Sequence, residues 1–258
     1  MKKLKRGFCF GNLFLIICCW GNANFRPRIK PKTRPSSISL SGTWYQQRES
    51  TASASLKLGI DEVYQFRGGF AKTASRSTEE TWMINAGLGA RFSRINSMGV
   101  NFSFEKVDVD FFAPGLRVNF KRKLSDEFRG GLSLGAKRYN DRMQQLAAGG
   151  FDLGLSLDWE FFESFLLYSE GSISKYNDPF LILSYLTLPA ASVSLGLSKE
   201  FDSFSIFTEI QRRSFYKNSR KAQSAASLGF DWEFLEGLSV GLEGSSLPSF
   251  TASASYTW

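Results

Sequence analysis

Apolar and polar residues alternate with a period of two along most of the chain. The last ten residues show it most plainly. Phe250, Ala252, Ala254, Tyr256 and Trp258 fall on one side; Ser249, Thr251, Ser253, Ser255 and Thr257 fall on the other. Successive side chains of a strand point to opposite faces, so this stretch is a strand with one apolar and one hydroxyl face. The alternation recurs from Ser37 onward. Trp82, Ile84, Ala86, Leu88, Ala90 and Phe92 alternate with Met83, Asn85, Gly87, Gly89 and Arg91. Phe151, Leu153, Leu155, Leu157, Trp159 and Phe161 alternate with Asp152, Gly154, Ser156, Asp158 and Glu160. No stretch carries a helical period over three turns.

The connections between these segments come in two alternating kinds. Tight ones are centred on 60–62, 94–97, 124–127, 162–164, 201–203 and 235–237. Longer ones fall at 72–80, 139–149, 175–191 and 213–223, with shorter members of that set near 48–51, 108–114 and 244–248. This predicts fourteen strands, with twelve as the alternative, the first of them over 38–47. An even number places both termini at the end of the tight turns. In a membrane barrel that end is periplasmic, and the longer loops face outward.

A soluble sandwich also alternates, with turns every 8–12 residues or so. Strand length favours the membrane: about 9–11 residues suits a tilted membrane strand and exceeds the usual ~5–6 of globular sheets. The apolar faces are crowded at their ends with Phe, Trp and Tyr, as interfacial girdles are. The opposite faces hold Ser, Gly, Asn, Thr and many charges, which no core would accept. Nearly every strand has the same apolar face, and one closed sheet in lipid satisfies them all without leaving an edge. The fold class expected is therefore all-β: an antiparallel up-and-down transmembrane β-barrel spanning 37–258. A mean hydropathy of -0.18 and 43% hydrophobic residues fit strands that meet lipid on one side only.

Residues 1–23 have the three parts of a secretory signal. Lys2, Lys3, Lys5 and Arg6 form a basic start, 8–20 is apolar, and Gly21-Asn22-Ala23 supplies small residues for cleavage after Ala23. Removing this segment takes the formal net charge from +8 to +4. A retained anchor is the alternative, although the apolar run is short for a span of ~20 residues. Residues 24–36 are basic and Pro-rich and read as an extended solvated lead-in, with a plug or an acidic-surface tether as alternatives.

Composition narrows the chemistry. The chain has no His, which removes the usual general base and the commonest zinc ligand. Its Cys residues, Cys9, Cys18 and Cys19, all lie in the signal segment. The expectation is a protein that is not an enzyme and has no cofactor, no metal site and no nucleic-acid partner. Carboxylates two apart, such as Asp158/Glu160 and Asp231/Glu233, face the same way on a strand and fit a charged wall better than an acid–base pair.

The signal, the alternating strands and the closing strand together resemble those of Gram-negative outer-membrane β-barrels of the porin-like kind. In that class the last strand usually ends in an aromatic residue, most often Phe, preceded by apolar residues at alternate positions. Phe250, Ala252, Ala254, Tyr256 and Trp258 are similar, with Trp258 in place of Phe. The resemblance implies export to the outer membrane, contact with its lipid and lipopolysaccharide, and recognition of Tyr256 and Trp258 by the barrel-assembly machinery.

Assigning the polar parity of each strand to the interior predicts two charged walls. Lys57, Arg67, Arg91, Arg117, Lys121, Arg129 and Lys137 form a basic wall, with Glu105 as its exception. Asp152, Asp158, Glu160, Glu170, Glu209, Asp231, Glu233 and Glu243 form an acidic wall, with Arg213 as its exception. Opposed walls set up a transverse field that orders water and orients dipolar solutes. The function expected is passive diffusion of small hydrophilic solutes. The alternatives are a non-conducting structural or surface-interaction barrel and a hydrophobic-solute transporter, which would show an apolar lumen patch. The apolar loop within 175–191 is expected to extend two strands beyond the membrane rather than to fold inward. The basic loop holding Arg213, Lys217, Arg220 and Lys221 is expected to be solvated, with lipopolysaccharide phosphates as its sharper alternative.

Overall fold

The computed structural model describes residues 35–45, 50–74, 81–106, 110–162, 164–179, 182, 189–216, 221–247 and 249–258. The expected signal segment and almost all of the lead-in lie outside them. The described residues form fourteen strands. These are β1 (Ser37–Tyr45), β2 (Ser50–Gly59), β3 (Tyr64–Ala74), β4 (Thr81–Arg91), β5 (Asn96–Lys106), β6 (Phe111–Lys123) and β7 (Phe128–Asp141). β8 (Leu146–Phe161), β9 (Phe165–Tyr176), β10 (Pro189–Glu200), β11 (Phe204–Phe215), β12 (Gln223–Leu235), β13 (Leu238–Ser245) and β14 (Ser249–Thr257) complete the set. Each pairs with its sequence neighbours, and β14 pairs antiparallel with β1, so the sheet closes into an up-and-down barrel. No cis peptide bond occurs among the described residues.

Closure is built from the two-faced pattern. β1 and β14 pair in uninterrupted register from Ser37↔Thr257 to Tyr45↔Ser249. Ser36 extends the ladder, exchanging backbone bonds of 3.0 Å with Trp258 in both directions. On one face the hydroxyls meet: Ser39–Ser55 and Ser41–Ser53 at 2.7 Å, Thr43–Thr251 at 3.0 Å, Thr51–Thr73 at 2.9 Å and Ser239–Ser255 at 2.7 Å. Cross-strand hydroxyl pairs of this kind contribute roughly 0.2–1 kcal/mol each. On the other face Ile38, Leu40, Trp44, Phe250, Tyr256 and Trp258 are exposed, with Tyr256 stacked on Trp258 and Trp44 on Phe250.

That apolar face continues around the barrel, and its aromatics gather at both ends of the strands. Trp44, Phe70, Trp82, Phe104, Phe112 and Phe250 lie toward the loop end. Toward the turn end lie Phe120, Phe128, Trp159, Phe161, Phe165, Phe204, Trp232, Phe234 and Tyr256. The second girdle is knit by ring contacts, including Phe128–Trp159 at 5.4 Å and Phe161–Phe165 at 5.6 Å between centroids. Aromatic rings have an apolar body that suits the hydrocarbon boundary, which is why they collect there.

Three consecutive tight turns share one device. Asp61 Oδ1 accepts the backbone N–H groups of Val63 and Tyr64. Ser93 Oγ accepts those of Ile95 and Asn96, and Ser125 Oγ those of Glu127 and Phe128. A short polar side chain thus replaces a ladder partner where the chain reverses. The second of these turns sits at 92–95, two residues before its expected place, because Ser93 rather than Asn96 supplies the acceptor. In the third, Lys123 pairs with the fully exposed Asp126 and holds its carboxyl below the ordinary carboxylate range by hydrogen bonding and charge. The connection expected at 139–149 is shorter than its sequence suggested: β7 runs to Asp141, β8 starts at Leu146, and Asp141 Oδ1 accepts from Gln144 N at 3.0 Å.

The last tight turn, between β12 and β13, turns on Gly237, with φ at 77°. A side chain there would collide with the carbonyl of Thr257, whose N–H donates to Gly237 O at 2.7 Å. A left-handed non-Gly residue costs about 1–2 kcal/mol before any clash. Gly237→Ala is therefore expected to weaken the seating of β14 by more than that, lowering the urea midpoint of the folded barrel in detergent. Gly99→Ala, where a methyl group meets only atoms 3.7 Å away or farther, is expected to leave the midpoint unchanged.

Candidate pore lining

The inner face is identified by contacts that skip a strand. Arg117 on β6 pairs with Asp152 on β8 at 2.7 Å, and Lys137 on β7 with Glu105 on β5 at 2.5 Å. Tyr168 Oη on β9 donates to Glu209 Oε2 on β11 at 2.9 Å. Side chains converge in this way only on the concave side of a closed wall. The register then assigns every other strand position. Lys57 lies opposite Ser37 and Arg67, Arg67 opposite Gly87, and Arg91 opposite Ser97. Arg117 lies opposite Asn101 and Gly135, Lys121 opposite Ser97 and Gly131, and Arg129 opposite Lys123 and Asp158. All seven share the parity of Lys137 and hence the inner face.

The acidic set shares it too. Asp152 and Asp158 follow from their β7 partners, Glu160 lies opposite Leu166, and Glu170 opposite Ser156 and Ser194. Glu209 lies opposite Gly196 and Ser227, Asp231 opposite Ser205 and Gly241, Glu233 opposite Ser239, and Glu243 opposite Gly229 and Thr251. Every carboxylate within the fourteen strands is on this face, including Glu105, Asp141 and Glu200. Basic residues predominate on β2–β7, with Glu105 and Asp141 as exceptions, and acidic residues on β8–β13, with Arg213 as the exception. The two arcs meet where Arg117 on β6 pairs with Asp152 on β8, and on the other side they are separated by the hydroxyl ladders around β14 and β1.

The interior side chains are not equally placed. Arg67 donates Nε and Nη2 to Gln65 Oε1 at 3.2 and 3.1 Å. The Lys137–Glu105 pair is well covered, its carboxylate side chain only 3% exposed, while Arg117 is 51% exposed in its pair with Asp152. Large inner residues lie against inward-facing glycines of the next strand: Tyr168 over Gly196 and Phe207 over Gly229. The absence of a Cβ at those glycines lets the rings lie flat along the wall instead of standing across the lumen. Among the described residues, no group of three or more His, Cys, Asp or Glu could hold a metal ion.

At the loop end the inner face changes character. Phe111, Ala113, Tyr139, Ala148, Tyr176 and Ile182 form a buried cluster, with Tyr216 packed against it. Tyr139 stacks with Phe111 at 6.2 Å and Tyr176 meets Tyr216 edge-on at 5.7 Å. Tyr176 Oη donates to the carbonyl of Pro189 at 3.0 Å. Ile182, from the β9–β10 connection, has no exposed surface. Ile182 therefore sits in the barrel mouth, contrary to the expectation that this connection only extends two strands; residues 180–181 and 183–188 lie outside the described set. Burying Ile182 in a cluster with three rings removes apolar surface that water would otherwise meet. Sequence reasoning missed this cluster, although Tyr139 and Tyr176 do stand on the polar parity. Of the basic loop, Arg213 belongs to β11 and is buried on the inner face, whereas Lys217 and Arg220 lie outside the described residues.

No family model matches the chain, and no curated protein does. Solved structures do. CymD, a monoaromatic hydrocarbon channel, superposes with a TM-score of 0.58 at 11% identity, covering 88% of each chain. The toluene transporter TodX of Pseudomonas putida superposes at 0.57 and 10% identity, covering 88% of this chain and 89% of that one. A KdgM porin in complex with disordered oligogalacturonate superposes at 0.51 and 10% identity, covering 86% and 99%. The chain therefore has the fold of an outer-membrane β-barrel channel.

The covered ion pair allows a direct check. Lys137→Met leaves Glu105 buried without its cation, a change expected to cost about 3–5 kcal/mol of stability. Arg117→Met removes a half-exposed partner and is expected to cost about 1 kcal/mol or less. Urea titration followed by tryptophan fluorescence measures both. The double variant Glu105→Gln/Lys137→Met is expected to recover most of the first loss.

Proposed function

We propose that this barrel is an outer-membrane channel for passive diffusion of small hydrophilic solutes. The observation that carries the reading is the segregation of charge on the inner face, mainly basic on β2–β7 and mainly acidic on β8–β13. A solid interior would be filled by apolar side chains or by fully paired ions. Here Arg117 remains half-exposed in its ion pair, and rings lie flat over glycines. Fourteen strands also enclose more space than the eight whose side chains fill a barrel. Opposed walls hold water in register across the lumen and favour polar solutes over apolar ones. Similarity to a porin crystallised with an oligogalacturonate supports a hydrophilic solute.

The aromatic cluster at the loop end favours a second reading, an aromatic or otherwise apolar solute. An apolar patch inside the lumen is what such a transporter needs, and CymD and TodX are channels for solutes of that kind. The charged faces below the cluster speak for the first reading, because an apolar solute gains nothing from them.

In this account the segment 1–23 directs export, 24–36 leads into the barrel as a solvated linker, and Tyr256 and Trp258 present the assembly signal. Purified protein in planar bilayers is expected to show stepwise single-channel conductance. Neutralising the basic wall with Lys57→Gln, Arg67→Gln and Arg91→Gln is expected to shift the reversal potential in a salt gradient toward cation selectivity. The absence of conductance at any voltage would overturn the channel reading and favour a non-conducting structural barrel. Swelling of proteoliposomes in small sugars, set against uptake of toluene, separates the two solute classes.

The mouth cluster generates its own expectation. Ile182→Ala/Tyr176→Ala removes two side chains packed in the opening. Single-channel conductance is expected to rise about twofold or more, in keeping with a constriction set by side-chain size.

A further inference from the structure

The outer face of the strands carries charge of one sign only. Its carboxylates are absent, since every strand carboxylate points inward, but cations are present. At the loop end these are Lys72, Lys106, Arg138, Lys175 and Arg212, one near the end of each of β3, β5, β7, β9 and β11. One of them, Arg138, lines a groove of about 560 Å³ on the outside of β6–β9, and Lys106 and Lys175 lie on the strands that flank it.

The groove exists for a local reason. Pro114 has no N–H, and the β6–β7 ladder has no bridge between Phe112↔Asn140 and Gly115↔Lys137. The outward positions around it are small or flat: Pro114, Ala136, Ala147 and Gly149, with Leu116 and Phe151 as walls. Arg138 lines the groove and is exposed. Lys106 stands two strands to one side and Lys175 two strands to the other. Each is offset from Arg138 by two residues along the register, since Lys106 lies opposite Phe112 and Lys175 opposite Phe151. By strand spacing and rise, each step is roughly 12 Å between Cα atoms, so the row spans roughly 23 Å along the outside of the barrel. At the rim Arg142 lies over the Phe112 ring at 4.8 Å.

An apolar channel under a row of cations, at the outward end of a membrane barrel, fits an amphiphile with an acyl chain and a phosphorylated head. Arg and Lys bind phosphate by charge-assisted hydrogen bonds, and the groove floor takes hydrocarbon. We propose that Lys106, Arg138 and Lys175, with the groove beneath them, form a specific binding site for the phosphorylated lipid of the outer leaflet, lipopolysaccharide. The site is distinct from the basic β11–β12 loop and requires only that the barrel span the outer membrane; it does not depend on what the lumen conducts.

The test uses the full-length barrel extracted from outer membranes in mild detergent, with retained lipopolysaccharide counted by native mass spectrometry. Wild type is expected to retain lipopolysaccharide, and Lys106→Gln/Arg138→Gln/Lys175→Gln to retain at least tenfold less. Ala147→Trp, which fills the groove and keeps every cation, is expected to lose it as well. Lys72→Gln/Arg212→Gln, which removes cations at the same end but away from the groove, is expected to retain it. Stripped wild-type protein should rebind lipid A from mixed micelles, and dephosphorylated lipid A tenfold more weakly. Equal retention by the triple variant overturns the site. So does equal loss in the Lys72/Arg212 variant, which would mean a diffuse surface charge. Binding of inorganic phosphate alone as tightly as lipid A would also overturn it, in favour of a free-anion site. Heat-modifiable gel mobility reports that each variant is folded. Bilayer conductance, recorded in parallel, keeps a failure of the channel reading separate from a failure of this one.

Discussion

Every backbone N–H and C=O that meets lipid must find its partner within the protein, because hydrocarbon offers none. A sheet can meet that demand only by closing, and in this chain closure falls to the pairing of β14 with β1. The register there runs without a shift, and Ser36 and Trp258 extend it by a further pair of bonds. What makes this joint possible is its composition. Hydroxyls on the inner side bond across β13, β14, β1, β2 and β3, while small alanines share the outer side with a few aromatics. No charge has to be desolvated where the two ends of the chain find each other. Strands that are last to pair in a cyclic order gain from a seam with short, interchangeable side chains, since a bulky or ionic joint would demand exact placement before any bond formed.

Closure imposes the second constraint. Once the wall is continuous, period-two alternation turns directly into inside and outside, and charge must follow. The strands obey this for carboxylates without exception and for cations only in part. The asymmetry has a physical source. A long Lys or Arg side chain at a strand end can lay its stem on the apolar surface and lift its head to the headgroup level. Asp and Glu are too short to do so, and an outer leaflet rich in phosphate would repel them. Lys199, which approaches the rings of Phe165 and Phe201 within 5 Å at the turn end, shows the same accommodation at the other boundary.

Much of the architecture was legible from residues alone because it rests on alternation and turn chemistry. Strand number, pairing order and the parity of the charged residues follow from those two signals. What escaped was set by long-range packing. Ile182 sits in a run of apolar residues that reads equally well as an extended hairpin tip, and only the rings of Phe111, Tyr139 and Tyr176, drawn from three other strands, give it somewhere to go. The turn at 92–95 was displaced because both Ser93 and Asn96 can start a turn, and it is Ser93 whose hydroxyl accepts the N–H groups of Ile95 and Asn96. Strands β7 and β8 run past the expected loop because Tyr139 and Ala148 gain burial in the same cluster. Pro114 is visible in the sequence, but the groove beside it depends on the small residues that two neighbouring strands place alongside.

In the proposed channel, the loop-end cluster and the charged walls below it place opposite demands on a solute. Rings at the mouth favour a molecule with an apolar surface, yet the next groups inward are the covered Lys137–Glu105 pair and then the more exposed Arg117–Asp152 pair. Passage past these groups is inexpensive only for a solute that can replace water around them. A mouth of this kind discriminates best against large, strongly hydrated ions, which lose hydration at the rings without gaining contacts there. Small polar molecules with one apolar face lose least at both levels. The physical character of the proposed pore is thus set by the order in which the two environments are met, apolar first and ionic second, and that order is fixed by which strand ends carry Tyr139 and Tyr176.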